Sequence, residues 1–135
     1  GFYNRSYFDE EMIRLEHGRQ HPISIAVITV NDLRTVNERD GHAAGNELLM
    51  QTAKVLKTFR SEDVVARIGG DRFAALLPAT DREEGSRIVK RLRDALAAHD
   101  KKAGGEPLHL SFGLATGEKG SSLKDVLNQA EAAMN

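Results

Sequence analysis

Apolar and polar positions follow two rhythms along this chain, one near 3.6 residues and one near two. In "SYFDEEMIRLEH" Phe8, Met12 and Leu15 recur at helical spacing, which predicts an amphipathic helix that ends before Pro22. "ISIAVITV", Ile23–Val30, is almost unbroken apolar sequence rich in β-branched residues, the pattern of a buried central strand. "NDLRTVNERDGHAAG" predicts a short helix and then a turn at Asp40-Gly41. "NELLMQTAKVLKTF" puts Leu48, Thr52, Val55, Leu56 and Phe59 on one face of a long helix. "DVVARI" and "RFAALLP" read as short strands joined at Gly69-Gly70-Asp71 in a hairpin. "DREEGSRIVKRLRDALAAH" predicts a helix with Asp81 at its N-cap, acids in its first turn, and Ile88, Leu92, Ala95 and Leu96 facing the core. Gly104, Gly105 and Pro107 predict a turn, "LHLSFGLAT" a strand, and "SSLKDVLNQAEAAM" a closing helix. The order contains a βαββαβ core and predicts an α+β fold, an antiparallel central sheet flanked by helices.

Composition narrows the function classes. The 135 residues fit one domain with its own core, and 40% hydrophobic with 29% charged residues is ordinary for a globular protein. A net charge of −1 argues against a nucleic-acid or lipid-binding surface. The absence of cysteine excludes disulfides and thiolate metal sites and suits the cytoplasm. No apolar run reaches membrane-spanning length, so no membrane contact is expected of this domain, although a parent protein could be anchored. The chain opens on "GFYNR" and stops inside a predicted helix at "AEAAMN", so residues 1–135 are expected to be a single domain cut at both ends from a longer protein.

The candidate chemistry lies in "RSEDVVARIGGDRF", residues 60–73. With "YNRSYFDEE", "NERDGHAAGN", "ARIGGDRFAALLP" and "LSFGLAT" in this order, the chain resembles the GGDEF domain, the diguanylate cyclase family, over essentially its whole length. The resemblance implies a fold like nucleotidyl-cyclase and polymerase palm domains and, in active members, condensation of two GTP into cyclic di-GMP. Such phosphoryl chemistry rests on positioning and on divalent ions held by carboxylates. The signature here is Gly69, Gly70, Asp71, Arg72, Phe73, with arginine where the family has its second acid. The family's strand-end aspartate falls on Thr29. With both ligands replaced, no catalytic residue is expected to function, no cofactor is expected, and Mg²⁺ should not bind productively, because a guanidinium repels it. Arg72 could equally be a hairpin surface residue without a role.

Two positions that read guanine in the family fall on Asn37 and Asn46. Asn46 stands for an aspartate, and a carboxamide offers one acceptor group where guanine's edge presents two donors. It could instead cap the helix that follows, and His42 is expected to hold the turn. The family's phosphate-binding Lys and Arg fall beyond Asn135.

Upstream lies Arg60-Ser61-Glu62-Asp63, with five residues between Asp63 and Gly69, which matches the place of the family's allosteric cyclic di-GMP site. By itself the pattern is weak, since Arg91-Leu92-Arg93-Asp94 repeats it inside a helix. Arginine can fork onto guanine O6 and N7 while aspartate accepts from its N–H groups. The family's further arginine falls on Arg91, with Arg87 one turn earlier. Both could instead be solvated residues paired with Glu83, Glu84 or Asp94. The resemblance thus implies an inactive member that receives cyclic di-GMP. The alternatives are a GTP-binding regulatory domain in which Arg72 neutralises phosphate charge, a dimerisation scaffold, and a residual cyclase. A homodimer or flanking signalling domains are the expected protein partners.

Overall fold

The computed structural model describes residues 2–103 and 108–134. The elements run α1 (Arg5–Glu16), β1 (Ile23–Val30), α2 (Leu33–Asp40), α3 (His42–Leu56), β2 (Val64–Arg67), β3 (Arg72–Leu77), α4 (Arg82–Ala103), β4 (Leu110–Gly117) and α5 (Leu123–Ala132). The strands form one sheet in the order β2-β3-β1-β4, and each neighbouring pair is antiparallel. The predicted α+β architecture is the one observed. The predicted turn at Gly104, Gly105 and Pro107 lies outside the described residues.

β1 is central and carries side chains to both faces of the sheet. Ile23, Ile25 and Val27 join Phe8, Met12 and Leu15 of α1 and Leu123, Val126 and Leu127 of α5 in one core. Ile28 and Val30 face the other way, towards Leu33, Leu56, Phe73 and Leu92. Burying each such side chain contributes about 1.5–3 kcal/mol before entropy is counted. That explains why an apolar run rather than an alternating one occupies the middle of the sheet.

Helix ends follow local chemistry. Asn4 Oδ1 accepts from Tyr7 N at 2.9 Å to start α1, and Asp81 Oδ1 accepts from Glu84 N at 2.8 Å ahead of α4. The N-terminal segment continues outward from α1 to the β2 edge, where Tyr3 N donates to Val65 O and Arg67 N donates to Tyr3 O. One expectation needs correction. The break falls at Asp40-Gly41 as expected, with the single residue Gly41 at φ 88° separating α2 from α3, but α3 starts at His42 and not at the Asn46 that opens the "NELLMQ" run. Glycine tolerates that left-handed φ, so the second helix restarts at once. His42 is therefore the first residue of α3, and Asn46 lies inside the helix and does not cap it.

Candidate nucleotide-binding site

The hairpin between β2 and β3 is the anchor of the site. Ile68 N and Gly69 N both donate to Arg72 O, and Arg67 Nε donates to Gly69 O at 3.2 Å while its Nη2 reaches Gly70 O. Asp71 O accepts from Val30 N at 2.8 Å, and Asn31 N donates to His109 O. The end of β1 is thus fixed between the hairpin and the start of β4.

Two clefts open on either side of this junction. One, of about 360 Å³, is lined by Asn37 and Asn46 together with Leu33, Leu49, Arg67, Gly70 and Asp71. The structure therefore gathers both predicted guanine-reading positions with the signature aspartate. Sequence reasoning missed Arg67, whose position two residues before the glycines was its only signal. Asn37 lies directly over α3, where a Cβ on Gly45 would overlap its Oδ1. The second cleft, of about 590 Å³, runs from Thr29 past Asn31, Asp32 and Arg34 to Asp71 and His109.

Thr29 and Arg72 are paired across β1 and β3, on the sheet face covered by α5. Arg72 Nη1 donates to Glu131 Oε2 at 2.7 Å, and the two side chains are 34% and 30% exposed. Arg72 Nε is buried and has no hydrogen-bond partner among the described residues. Thr29 Oγ1 donates to the Met134 sulfur at 3.0 Å. Arg72 is therefore a half-buried, paired group rather than a loose hairpin residue. These residues do not fit a divalent ion. A guanidinium has no lone pair to give and adds positive charge, and Thr29 supplies only a neutral hydroxyl. Among the described residues no three His, Cys, Asp or Glu side chains come together in a metal-binding group.

The Arg60–Asp63 pair sits apart from this junction, beyond the end of α3. Arg60 Nη2 donates to Asp63 Oδ1 at 2.7 Å and Arg60 Nε reaches both carboxylate oxygens at 3.1 Å. The Arg60 backbone N–H also donates to Oδ2 at 2.9 Å. Arg60 Nη2 donates further to Thr80 Oγ1 at 2.7 Å. The Asp63 side chain is fully buried, while Arg60 remains 22% exposed. The hydrogen bond to Asp63 raises the Arg60 guanidinium above its ordinary pKa, with smaller help from the charges of Asp63, Glu62 and Glu84. Glu84 in turn accepts from Arg87 Nη1 at 2.6 Å, and Glu83 accepts from Arg87 Nη2 at 2.8 Å. Arg60, Glu84 and Arg87 thus form one charged patch. Arg91 is exposed one turn further along α4, and Asp94 is paired with Lys90. In this conformation Asp63 presents no oxygen to solvent; what it does is hold Arg60.

Residues 1–135 match the GGDEF family (diguanylate cyclase, GGDEF domain), and the chain belongs to this family, which is linked to cyclic di-GMP signalling. The chain is 34% identical over 141 residues to diguanylate cyclase DgcP of Pseudomonas aeruginosa, covering 99% of this chain and 21% of that protein. It therefore spans about a fifth of the length of that curated relative. The GGDEF domain of DgcB from Caulobacter crescentus, solved in complex with c-di-GMP, superposes with a TM-score of 0.85 at 23% identity, over 98% of this chain and 82% of that one. Diguanylate cyclase SiaD of Pseudomonas aeruginosa, solved with its activator SiaC, superposes with a TM-score of 0.83 at 26% identity, over 96% of this chain and 52% of that one. Among the described residues no helix is long and apolar enough to cross a membrane.

Proposed function

We propose that this domain is a degenerate GGDEF domain that does not synthesise cyclic di-GMP and acts as a receptor for it. The observation that carries the reading is the Arg72–Glu131 ion pair, at 2.7 Å, where the family signature has its second acid. A cation already neutralised by protein has no use for Mg²⁺, and the transfer reaction lacks its charge sink. What supports the ligand is the patch of Arg60, Arg87 and Arg91. Cyclic di-GMP carries two phosphates and two guanines, so it needs cationic charge beside an arginine fork. Arg60 is the base reader, and Asp63 holds its guanidinium in place until ligand competes for it. Arg87 and Arg91 supply charge to the phosphates. The test is isothermal titration of the purified domain with cyclic di-GMP and with GTP. Saturable binding of cyclic di-GMP at tens of micromolar or below, weakened by Arg91→Ala, is the expected result. No heat of binding over that range would remove the receptor reading.

The 360 Å³ cleft with Asn37, Asn46 and Arg67 favours a second reading, in which a guanine nucleotide is bound there without turnover. It yields a separate prediction through Gly45. Alanine in a helix interior is favoured over glycine by about 0.5–1 kcal/mol, so Gly45→Ala is expected to unfold no earlier than wild type. The new methyl displaces the Asn37 amide, a flexible side-chain end, from its position over α3. GTP affinity is therefore expected to fall roughly tenfold, the scale of one lost base-edge contact. Unchanged GTP affinity in a folded Gly45→Ala protein would show that Asn37 does not read the base.

A further inference from the structure

Arg72, Thr29 and Glu131 together make an unusual balance of donors and acceptors. Arg72 Nη1 has one partner, Glu131, and its Nε is buried with none. The Thr29 hydroxyl gives its proton to a thioether sulfur, a weak acceptor. So one carboxylate answers only Arg72 Nη1 among these donors, and it arrives from α5, 59 positions away in sequence. The second cleft begins at Thr29 and extends along Asn31 and Arg34.

We infer that Arg72 and Glu131 form a quenched anion site: Glu131 holds the place of a nucleotide phosphate, and Arg72 takes that phosphate, without a divalent ion, when Glu131 leaves. The inference rests on the reading of these clefts as a nucleotide site. Phosphate oxygens can engage a guanidinium through two parallel bonds, where Glu131 uses only Nη1. They also offer the Thr29 hydroxyl a far better acceptor than sulfur. Arg72 and Glu131 stand beside Thr29, at the border of the second cleft and outside its lining; within the cleft Asp32 and Asp71 oppose an anion, while Arg34 is already engaged with the exposed Glu38 at 3.1 Å. With Glu131 in place the local charge therefore disfavours phosphate. Removing the Glu131 charge leaves Arg72 as the unanswered cation. Displacement also breaks the tie between β3 and the last turn of α5, so phosphate binding and the looseness of that turn are coupled.

The experiment is a titration with GTP in EDTA of wild type, Glu131→Gln, Arg72→Gln and the double variant. Glu131→Gln is expected to bind GTP about tenfold more tightly than wild type, the scale of one charge-assisted contact, and the gain is expected to vanish in the double variant. In wild type, hydrogen exchange at Ala133 and Met134 is expected to speed up when GTP is present, a measurement that needs no folded variant. Equal GTP affinity for wild type and Glu131→Gln, with exchange unchanged by GTP, would overturn the quenched site and leave the nucleotide cleft standing. A gain that survives in the double variant would also overturn it. No GTP binding by any of the four proteins removes both the quenched site and the nucleotide cleft.

Discussion

Given GTP with Mg²⁺ or Mn²⁺, the domain is expected to release no cyclic di-GMP above a heat-killed control, and Arg72→Glu alone is expected not to change this. The usual reasoning would restore the acid and expect activity. The structure gives two reasons against it. Thr29 still contributes no charge, so the new carboxylate would stand without its companion ligand. The new side chain would also face Glu131, which now neutralises Arg72 at 2.7 Å. Glutamate is shorter than arginine, so the two carboxylates need not touch, but the positive charge that answered Glu131 is gone and a like charge faces it. Since both groups are about one-third exposed, the cost to stability is about 1 kcal/mol, small enough for the variant to fold. Thr29→Asp with Arg72→Glu and Glu131→Gln addresses all three terms. Chromatography of the nucleotide products is the measurement. Turnover by wild type, or by Arg72→Glu alone, would show that the metal ligands lie elsewhere.

Arg60→Ala is expected to cost both stability and ligand. Asp63 is fully buried, and Arg60 is the charge that answers it. Removing one partner of a buried ion pair costs about 3–5 kcal/mol, because the remaining charge is stranded. The Arg60 backbone N–H would still donate to Oδ2, so the loss should sit at the lower end, about 3 kcal/mol. Asp63→Asn strands the Arg60 charge instead, but Arg60 can turn to water, so the loss should be smaller, about 1–2 kcal/mol. Denaturant unfolding of both variants measures the difference, and an Arg60→Ala protein within 1 kcal/mol of wild type would contradict the account of the pair. Cyclic di-GMP affinity of folded Arg60→Ala is expected to drop roughly tenfold or more, for loss of the bidentate fork. Arg91→Ala serves as the companion probe, because an exposed residue can be truncated with little structural cost. Equal affinities in wild type and both variants would discard the ligand face.

Much of the fold was legible because burial writes itself into periodicity. The apolar run Ile23–Val30 could only be a strand covered on both faces, and Phe8, Met12 and Leu15 could only be one helix face. Other parts were not legible, for physical reasons. The immediate restart of α3 at His42 depends on Gly41 adopting φ 88°, and a glycine in sequence signals a turn without saying how short it is. Asp63 is expected from sequence to accept from a guanine; in the fold Arg60 lies against its carboxylate and is itself held by Thr80, a contact across the fold that sequence spacing does not show. The role of Glu131 depends on how α5 crosses the sheet, which no local pattern records. Asn37, Asn46 and Asp71 do share a cleft, but Arg67 joins them through backbone carbonyls of the hairpin, contacts that carry no residue signature.

The main-chain bridge at Tyr3 has a consequence for solubility. β2 is an edge strand, and an edge with free N–H and C=O groups is a template on which another chain can add. Here Tyr3 closes the bonds at Val65 O and Arg67 N, and the stacked rings of Tyr3 and Tyr7 stand beside it at 4.0 Å. The segment ahead of α1 thus works as a stopper. It takes up two outward main-chain groups of β2, the Val65 carbonyl and the Arg67 N–H, which are then not open to a neighbouring chain.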